Sequence, residues 1–225
     1  MDREHARIPM QKRSRESFDR VIDAAIELLR QGGIQSLTLA EVSRRSKVSI
    51  GSIYCRVDSK SDLIRAVQAR VLDDMDREFS RMVNRIRRRG LSLRELVPTL
   101  VREQGSFLRR HVALLNAFIE ESVNDAYMAT IGKRYHAQTA LDFKLLLLER
   151  QADFVHADSE RAADTCFSIV YGTLARAIGL GHSRDEGPDE KQWRRLVDDV
   201  GWAILAFLTV DVQQEPAAGK KGSLD

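Results

Sequence analysis

Cysteine is nearly absent: Cys55 and Cys166 are the whole complement of a 225-residue chain. Two thiols cannot build a disulfide framework, and a reducing, cytoplasmic setting is the simplest expectation. Proline is limited to Pro9, Pro98, Pro188 and Pro216, and hairpin dipeptides such as Asn-Gly and alternating apolar patterns are missing, which argues against a sheet. The longest strongly apolar run, Trp202 to Val210, falls far short of the roughly 20 residues of a membrane span. The N-terminus is polar and charged, without an apolar signal-peptide core. His5, His111, His136, His156 and His182 have no metal-ligand spacing, and no nucleophile motif, glycine-rich phosphate loop or paired-carboxylate pattern stands out. Neither an enzyme nor a metal site is expected, and no cofactor is implied.

The charge that is present is unevenly spread. Residues 1–70 hold 14 Lys and Arg against 9 Asp and Glu, a balance of +5, while the remainder holds 22 against 24, a balance of −2. A basic N-terminal part suggests a polyanionic partner. Residues 1–15, with Arg3, Arg7, Lys12, Arg13 and Arg15, read as a flexible arm able to lie along phosphates.

Apolar spacing is helical nearly throughout. Phe18, Val21, Ile22, Ala25, Ile26 and Leu29 form one stripe, ended by Gly32-Gly33. Thr38 with Glu41 forms a capping-box pattern for a short helix to Arg45. Ser49 caps another, Ile50 to about Arg56, and Ser59 with Asp62 opens a long helix to about Arg89. Further helices are expected from Ser92 to Arg109, His111 to Val123, Asp125 to Phe154, Ser159 to Leu180 and Asp189 to Val210. The loop GHSRDEGPDE separates the last two, and residues 213–225 read as a disordered tail.

Two short helices joined at Ser46–Ser49 make a helix-turn-helix, whose second helix enters the DNA major groove by its N-terminal end. Gly51 costs about 1 kcal/mol of helix propensity relative to Ala, which fits a position where backbone approaches bases. Ser52 can bond a base edge and Ile50 can touch a thymine methyl. Tyr54, Arg56 and Lys60 carry donors that reach flanking phosphates.

The stretch FDRVIDAAIELLRQGGIQSLTLAEVSRRSKVSIGSIYCRVDSKSDLIRAV, Phe18 to Val67, resembles the DNA-binding domain of the tetracycline-repressor (TetR) family. The resemblance rests on the Ala-Ala first helix ending in Gly, Leu-Thr before the second, Val-Ser before the third, Gly-x-Ile-Tyr within it, and Ser-Lys-x-x-Leu opening the fourth. It implies phosphate contacts from Thr38, Ser49, Tyr54 and Lys60, and groove contacts from Ile50, Gly51 and Ser52. Lys47 stands where the family usually has Gly, Arg56 where His is common, and Val57 where Phe is usual.

The C-terminal region offers less. Trp193, Leu196, Val197, Val200, Ile204, Phe207 and Leu208 form a stripe on the last helix, and CFSIVYGTLARAIGLG before it is apolar almost all round. Surface exceeding one face suggests burial on a second side, against another copy of the chain. Gly172, Gly179, Val200, Ile204 and Phe207 are the candidate dimer contacts, and the resemblance implies a four-helix interface. It also implies a small-molecule site, for which Phe107, Phe118, Tyr127, Met128, Ile131, Tyr135, Phe143, Tyr171 and Arg176 are candidates. The expectation is an all-α protein in two parts: a helix-turn-helix domain at 16–60 and a helical ligand-binding and dimerisation domain at 61–212. Its expected role is a homodimeric repressor on a palindromic double-stranded operator, released by an unidentified small molecule and independent of any membrane. The competing reading is an architectural DNA-binding protein whose C-terminal domain only dimerises. A cavity of several hundred Å³ separates the two.

Overall fold

The computed structural model describes residues 7–181 and 187–211, with side chains from residue 13 onward. The expected tail at 213–225, His5, His182 and Arg3 lie outside the described residues. Among those described there are eight α-helices and no strand. They are α1 (Arg7–Ser36), α2 (Leu39–Ser46), α3 (Ile50–Tyr54), α4 (Lys60–Arg87), α5 (Leu93–Ser122), α6 (Ala126–Leu148), α7 (Ser159–Ala177) and α8 (Glu190–Thr209), with a 3₁₀ turn at Gln151–Asp153.

The first three helices form a small unit. Val21, Ala25, Leu28 and Leu29 of α1 pack with Val42, Val48 and Ile53 beneath the turn. Gly33, at φ 64°, kinks the chain before the last residues of α1, a conformation that glycine adopts without steric cost. The turn after α2 is built from serines: Ser43 Oγ donates to the Val48 carbonyl at 2.7 Å, and Val48 N–H donates to Ser46 Oγ at 3.3 Å. Arg20 Nε reaches the Ser46 carbonyl at 3.4 Å and holds the turn to α1.

α5 is the spine of the larger part, touching α1, α4, α6, α7 and α8. Two glycines let α8 lie close to it. A Cβ on Gly105 would sit 3.0 Å from Cζ2 of Trp193, and one on Gly201 would sit 3.3 Å from Cα of Pro98. The Arg109 guanidinium lies 5.2 Å from the Trp193 ring centroid, a cation–π contact. Phe79 of α4 and Phe107 of α5 meet edge to face, centroids 5.3 Å apart.

Several boundaries differ from the sequence reading. α1 is helical back to Arg7, so residues 7–15 are not an extended arm; Pro9 falls in the first turn, where its missing N–H is no loss. α3 stops at Tyr54. Glu41 does not close a capping box: Thr38 Oγ1 accepts from Glu41 N–H at 3.2 Å, but the Glu41 carboxylate is held by Arg44 and Arg45. Those guanidiniums pull its pKa down to about 2. The break expected near Arg110 is absent, because Leu108, Leu114, Ala117 and Phe118 continue one buried face without a glycine or proline to end it. α6 ends at Leu148 rather than Phe154. α4 begins at Lys60, beside the expected division at 60/61.

Lys47 has φ 56°, the one non-glycine residue with positive φ among those described. A side chain in this left-handed region costs roughly 1 kcal/mol or more. Lys47→Gly should therefore raise stability in urea unfolding by about 0.5–1 kcal/mol, after the larger unfolded-state entropy of glycine is counted.

Candidate nucleic-acid interface and helical cavity

Thr38, Ser49, Ile50, Gly51, Ser52, Tyr54, Arg56 and Lys60 are all exposed on the helix-turn-helix. The apolar members have no burial to justify them: Ile50 is 41% exposed and Tyr54 49%. Ser49 accepts from Ser52 N–H at 3.2 Å, and the two hydroxyls are 2.8 Å apart, so the cap also fixes the Ser52 side chain. A Cβ on Gly51 would meet nothing within 4 Å. The protein's own packing does not require glycine there, and the helix bears its propensity cost for a surface that faces outward. Arg56 donates to Ser14 Oγ and lies 5.7 Å from the Phe18 ring centroid. Its charge is thereby steadied against α1, beside a shallow cleft that includes Arg13, Ser17 and Ser52. Cys55 is exposed at the end of α3. Cys166 is in the core, where burial pushes its thiol up to about 12.

A second feature lies between α4, α5, α6 and α7: a cavity of about 390 Å³. Of the candidates, Phe107, Phe118, Met128, Tyr135 and Tyr171 line it. Tyr127 and Ile131 line an adjoining space of about 340 Å³ that shares Gln68, Leu72 and Tyr135 with the first. Phe143 lines neither; it packs on Phe167, centroids 5.4 Å apart. Arg176 lines neither and is exposed on α7. Among the lining residues that the sequence reading did not single out are two buried amides, Gln68 and Gln104. Their signal was a polar residue on an apolar stripe at four-residue spacing, Ile64–Gln68–Leu72 and Leu100–Gln104–Leu108.

The cavity wall is tied to the helix that leaves the helix-turn-helix. Gln68 Nε2 of α4 donates to the Met128 carbonyl of α6 at 3.1 Å. Arg65 Nε, one turn earlier, lies 2.7 Å from Asp125 Oδ2. Asp125 caps α6 by accepting from Tyr127 and Met128 N–H. The Arg65 hydrogen bond holds the Asp125 carboxyl below the ordinary carboxylate range.

The dimer candidates divide. Val200 and Ile204 are buried within the chain, because they belong to the α8 stripe that packs on α5. Phe207 is half-buried with its ring 4.4 Å from that of His156. Gly179, at φ 70°, ends α7 rather than sharing its face. Gly172 is exposed with open space around it. The uncovered apolar surface instead carries Ile169 on α7 and Trp202 on α8, the latter 58% exposed. Among the described residues no group of three or more His, Cys, Asp or Glu could hold a metal ion, and no helix is long and apolar enough to cross a membrane.

A serine-capped short helix presented outward from a tight turn, on an all-helical body, is the geometry of a helix-turn-helix. Residues 21–67 match the family of bacterial regulatory proteins described as the tetR family. The match covers the helix-turn-helix segment, and the chain as a whole shares its fold with solved regulators of that family. It is 30% identical over 64 residues to the nicotine-responsive transcriptional repressor HdnoR of Paenarthrobacter nicotinovorans, 28% of this chain and 33% of that one. It is 28% identical over 67 residues to the uncharacterized HTH-type transcriptional regulator TtgW of Pseudomonas putida, 30% of this chain and 50% of that one. The matched stretch thus spans no more than half of those relatives' lengths. A candidate TetR-family regulator from Mesorhizobium loti shares the fold at a TM-score of 0.72 and 15% identity, over 88% of this chain and 99% of that one. The regulator FadR of Bacillus subtilis, solved in complex with stearoyl-CoA, does so at 0.61 and 15%, over 85% and 99%.

Two outcomes are expected. Gly51→Ala should stabilise the isolated protein by about 0.5–1 kcal/mol in urea unfolding, since helix propensity rises and nothing clashes. Asp125→Asn keeps an oxygen for the α6 cap and removes the charge. The folded Asp125 carboxyl sits below its unfolded value of about 3.9. Its stabilisation is therefore complete above that pH and lost as pH falls through the folded value. Acid unfolding followed by circular dichroism should depend less on pH in the variant below about pH 4.

Proposed function

We propose that the chain is a cytoplasmic, homodimeric transcriptional repressor that binds a palindromic operator and releases it when a small molecule occupies the cavity. One observation carries the reading: α4 begins at Lys60, shortly after the recognition helix ends at Tyr54, and, two to three turns later, supplies Gln68 and Leu72 to the cavity wall. A ligand that fits one position of α6 better than another biases α4, and with it the recognition helix. HdnoR is named as responsive to nicotine and FadR was solved with stearoyl-CoA, which supports small-molecule control here. The architectural reading gives no purpose to a cavity walled by buried glutamines.

In this reading Ser52 and Ile50 read bases, Gly51 lets the backbone approach, and Thr38, Ser49, Tyr54, Arg56 and Lys60 hold phosphates. Lys60→Ala should weaken binding to all sequences and flatten the log–log salt slope by about 1.8, one phosphate per subunit of a dimer. Ser52→Ala should leave the slope nearly unchanged and relax one base pair per half-site by about 1–3 kcal/mol. Site selection with salt titration checks both, and a slope change in Ser52→Ala with no change in preferred sequence would contradict the assignment.

Dimerisation is assigned to the outward faces of α7 and α8, through Ile169, Gly172, Trp202, Ala203 and Ala206, which are exposed in the single chain. Trp202→Asp should convert a dimer to a monomer in sedimentation velocity without unfolding it, since this side chain is outside the core. A wild-type monomer at micromolar concentration would contradict the dimer.

A further inference from the structure

The cavity has a chemical character that narrows its occupant. Most of its wall is apolar or aromatic: Leu72, Phe107, Leu108, Phe118, Met128 and Tyr171. Set into this wall is Gln104, 0% exposed, with neither its Nε2 nor its Oε1 within hydrogen-bond reach of any group among the described residues. Gln68, 2% exposed, commits its Nε2 to the Met128 carbonyl and leaves Oε1 as a free acceptor. The Tyr135 hydroxyl is also buried without a hydrogen-bond partner among the described residues. Buried amides are ordinarily paired, because leaving them unpaired forfeits their hydration without return. Three such groups facing one cavity make a built polar site rather than a packing fault. Among the described residues, formal charge at the wall is confined to Lys133, which is exposed, and no carboxylate lines the cavity. His136, also at the wall, is favoured as the neutral imidazole because burial pushes its pKa down.

Resting on the reading of this cavity as the regulatory site, we propose that its ligand is a small, uncharged, largely aromatic molecule bearing an amide or lactam edge that pairs with the Gln104 side-chain amide. An amide edge offers an acceptor and a donor side by side. It therefore answers both atoms of Gln104 at once, as one carboxamide pairs with another. A second N–H on the ligand would find Gln68 Oε1. An ionised ligand would enter a wall with no buried counter-charge, at a large desolvation cost. The volume lies near the lower end of the roughly 300–1,000 Å³ typical of small-molecule sites, which suits a two-ring compound. A CoA thioester is disfavoured on both counts, since its phosphates would meet Lys133 alone.

The test is calorimetric titration of the full chain, without DNA, with five probes: 2-naphthamide, 2-methylnaphthalene, 2-naphthoate, 2-naphthylmethylamine and stearoyl-CoA. 2-Naphthamide should bind at least about tenfold more tightly than each of the others, because only it satisfies the buried amide. Gln104→Met, close in volume and without polar hydrogens, should lower 2-naphthamide affinity at least about tenfold and leave 2-methylnaphthalene within about twofold. The five-probe ranking on the unaltered protein stands by itself if the variant fails to fold. A charged probe or stearoyl-CoA binding as tightly as the amide would overturn the ligand class and leave release by a ligand intact. Equal amide binding by Gln104→Met would overturn the role of Gln104. Failure of every probe to bind would overturn the inference and count against the cavity as a regulatory site, while the operator-binding measurements would be unaffected.

Discussion

One helix belongs to both halves of the molecule, and the rest of the structure is arranged around that constraint. α4 is capped by Ser59, five residues after the recognition helix ends at Tyr54, with Asp62 N–H donating to Ser59 Oγ at 3.1 Å. It then continues unbroken for 28 residues, about 42 Å at 1.5 Å per residue. Leu63, Ile64 and Val67 bury into the small unit, and Met75, Phe79 and Met82 into the large one. A helix of this length cannot bend freely without a proline, a glycine pair or an inserted side chain, and α4 contains none. Whatever moves its middle moves its start. The ties that grip its first third, Gln68 to Met128 and Arg65 to Asp125, both lead to α6, the wall that a cavity ligand would press.

Around this lever, stability is given up in two places. In α3, glycine occupies a helical position with free space around it, and Ile50 and Tyr54 face water. In the cavity, Gln104 and Gln68 hold unpaired polar atoms inside an apolar wall. Elsewhere the chain follows ordinary rules: Phe79 on Phe107, Trp193 in the notch made by Gly105, and caps at nearly every helix start. Departures concentrated at two sites, one in the helix before α4 and one at the cavity that α4 helps to wall, are what a protein built to couple those sites would show. Lys47, left-handed at the turn, is a third departure, and no contact in the structure explains it.

The helix-turn-helix was legible because its signals are local. Caps at Thr38, Ser49 and Ser59, the glycine kink of α1 and the exposed α3 can each be read from a few neighbouring residues. The larger part depends on which stripe meets which, and that is long-range information. Val200 and Ile204 sit at good spacing for an interface, yet the same spacing serves the α5 contact, and only the notch at Gly201 against Pro98 decides it. The continuity of α5 was hidden by three basic residues in a row, Arg109, Arg110 and His111, which look like a helix end. Two of them are instead drawn off to Glu78 on α4 and the third to Glu190 on α8. Of the cavity candidates, aromatic character alone could not separate Phe107, which faces the cavity, from Phe143, which faces Phe167.

The central claim is that the cavity and the recognition helices are coupled through α4. Cys55 is an exposed native thiol at the end of α3, while the other cysteine, Cys166, is buried. A spin label on Cys55 would report the separation of the two recognition helices in a dimer. Gly132 lines the cavity and has open space for a side chain, so Gly132→Phe serves as a permanent occupant. Double electron–electron resonance on labelled wild-type and Gly132→Phe dimers should give clearly different Cys55–Cys55 distance distributions. The same distribution in both, with the variant folded and dimeric, would contradict the coupling.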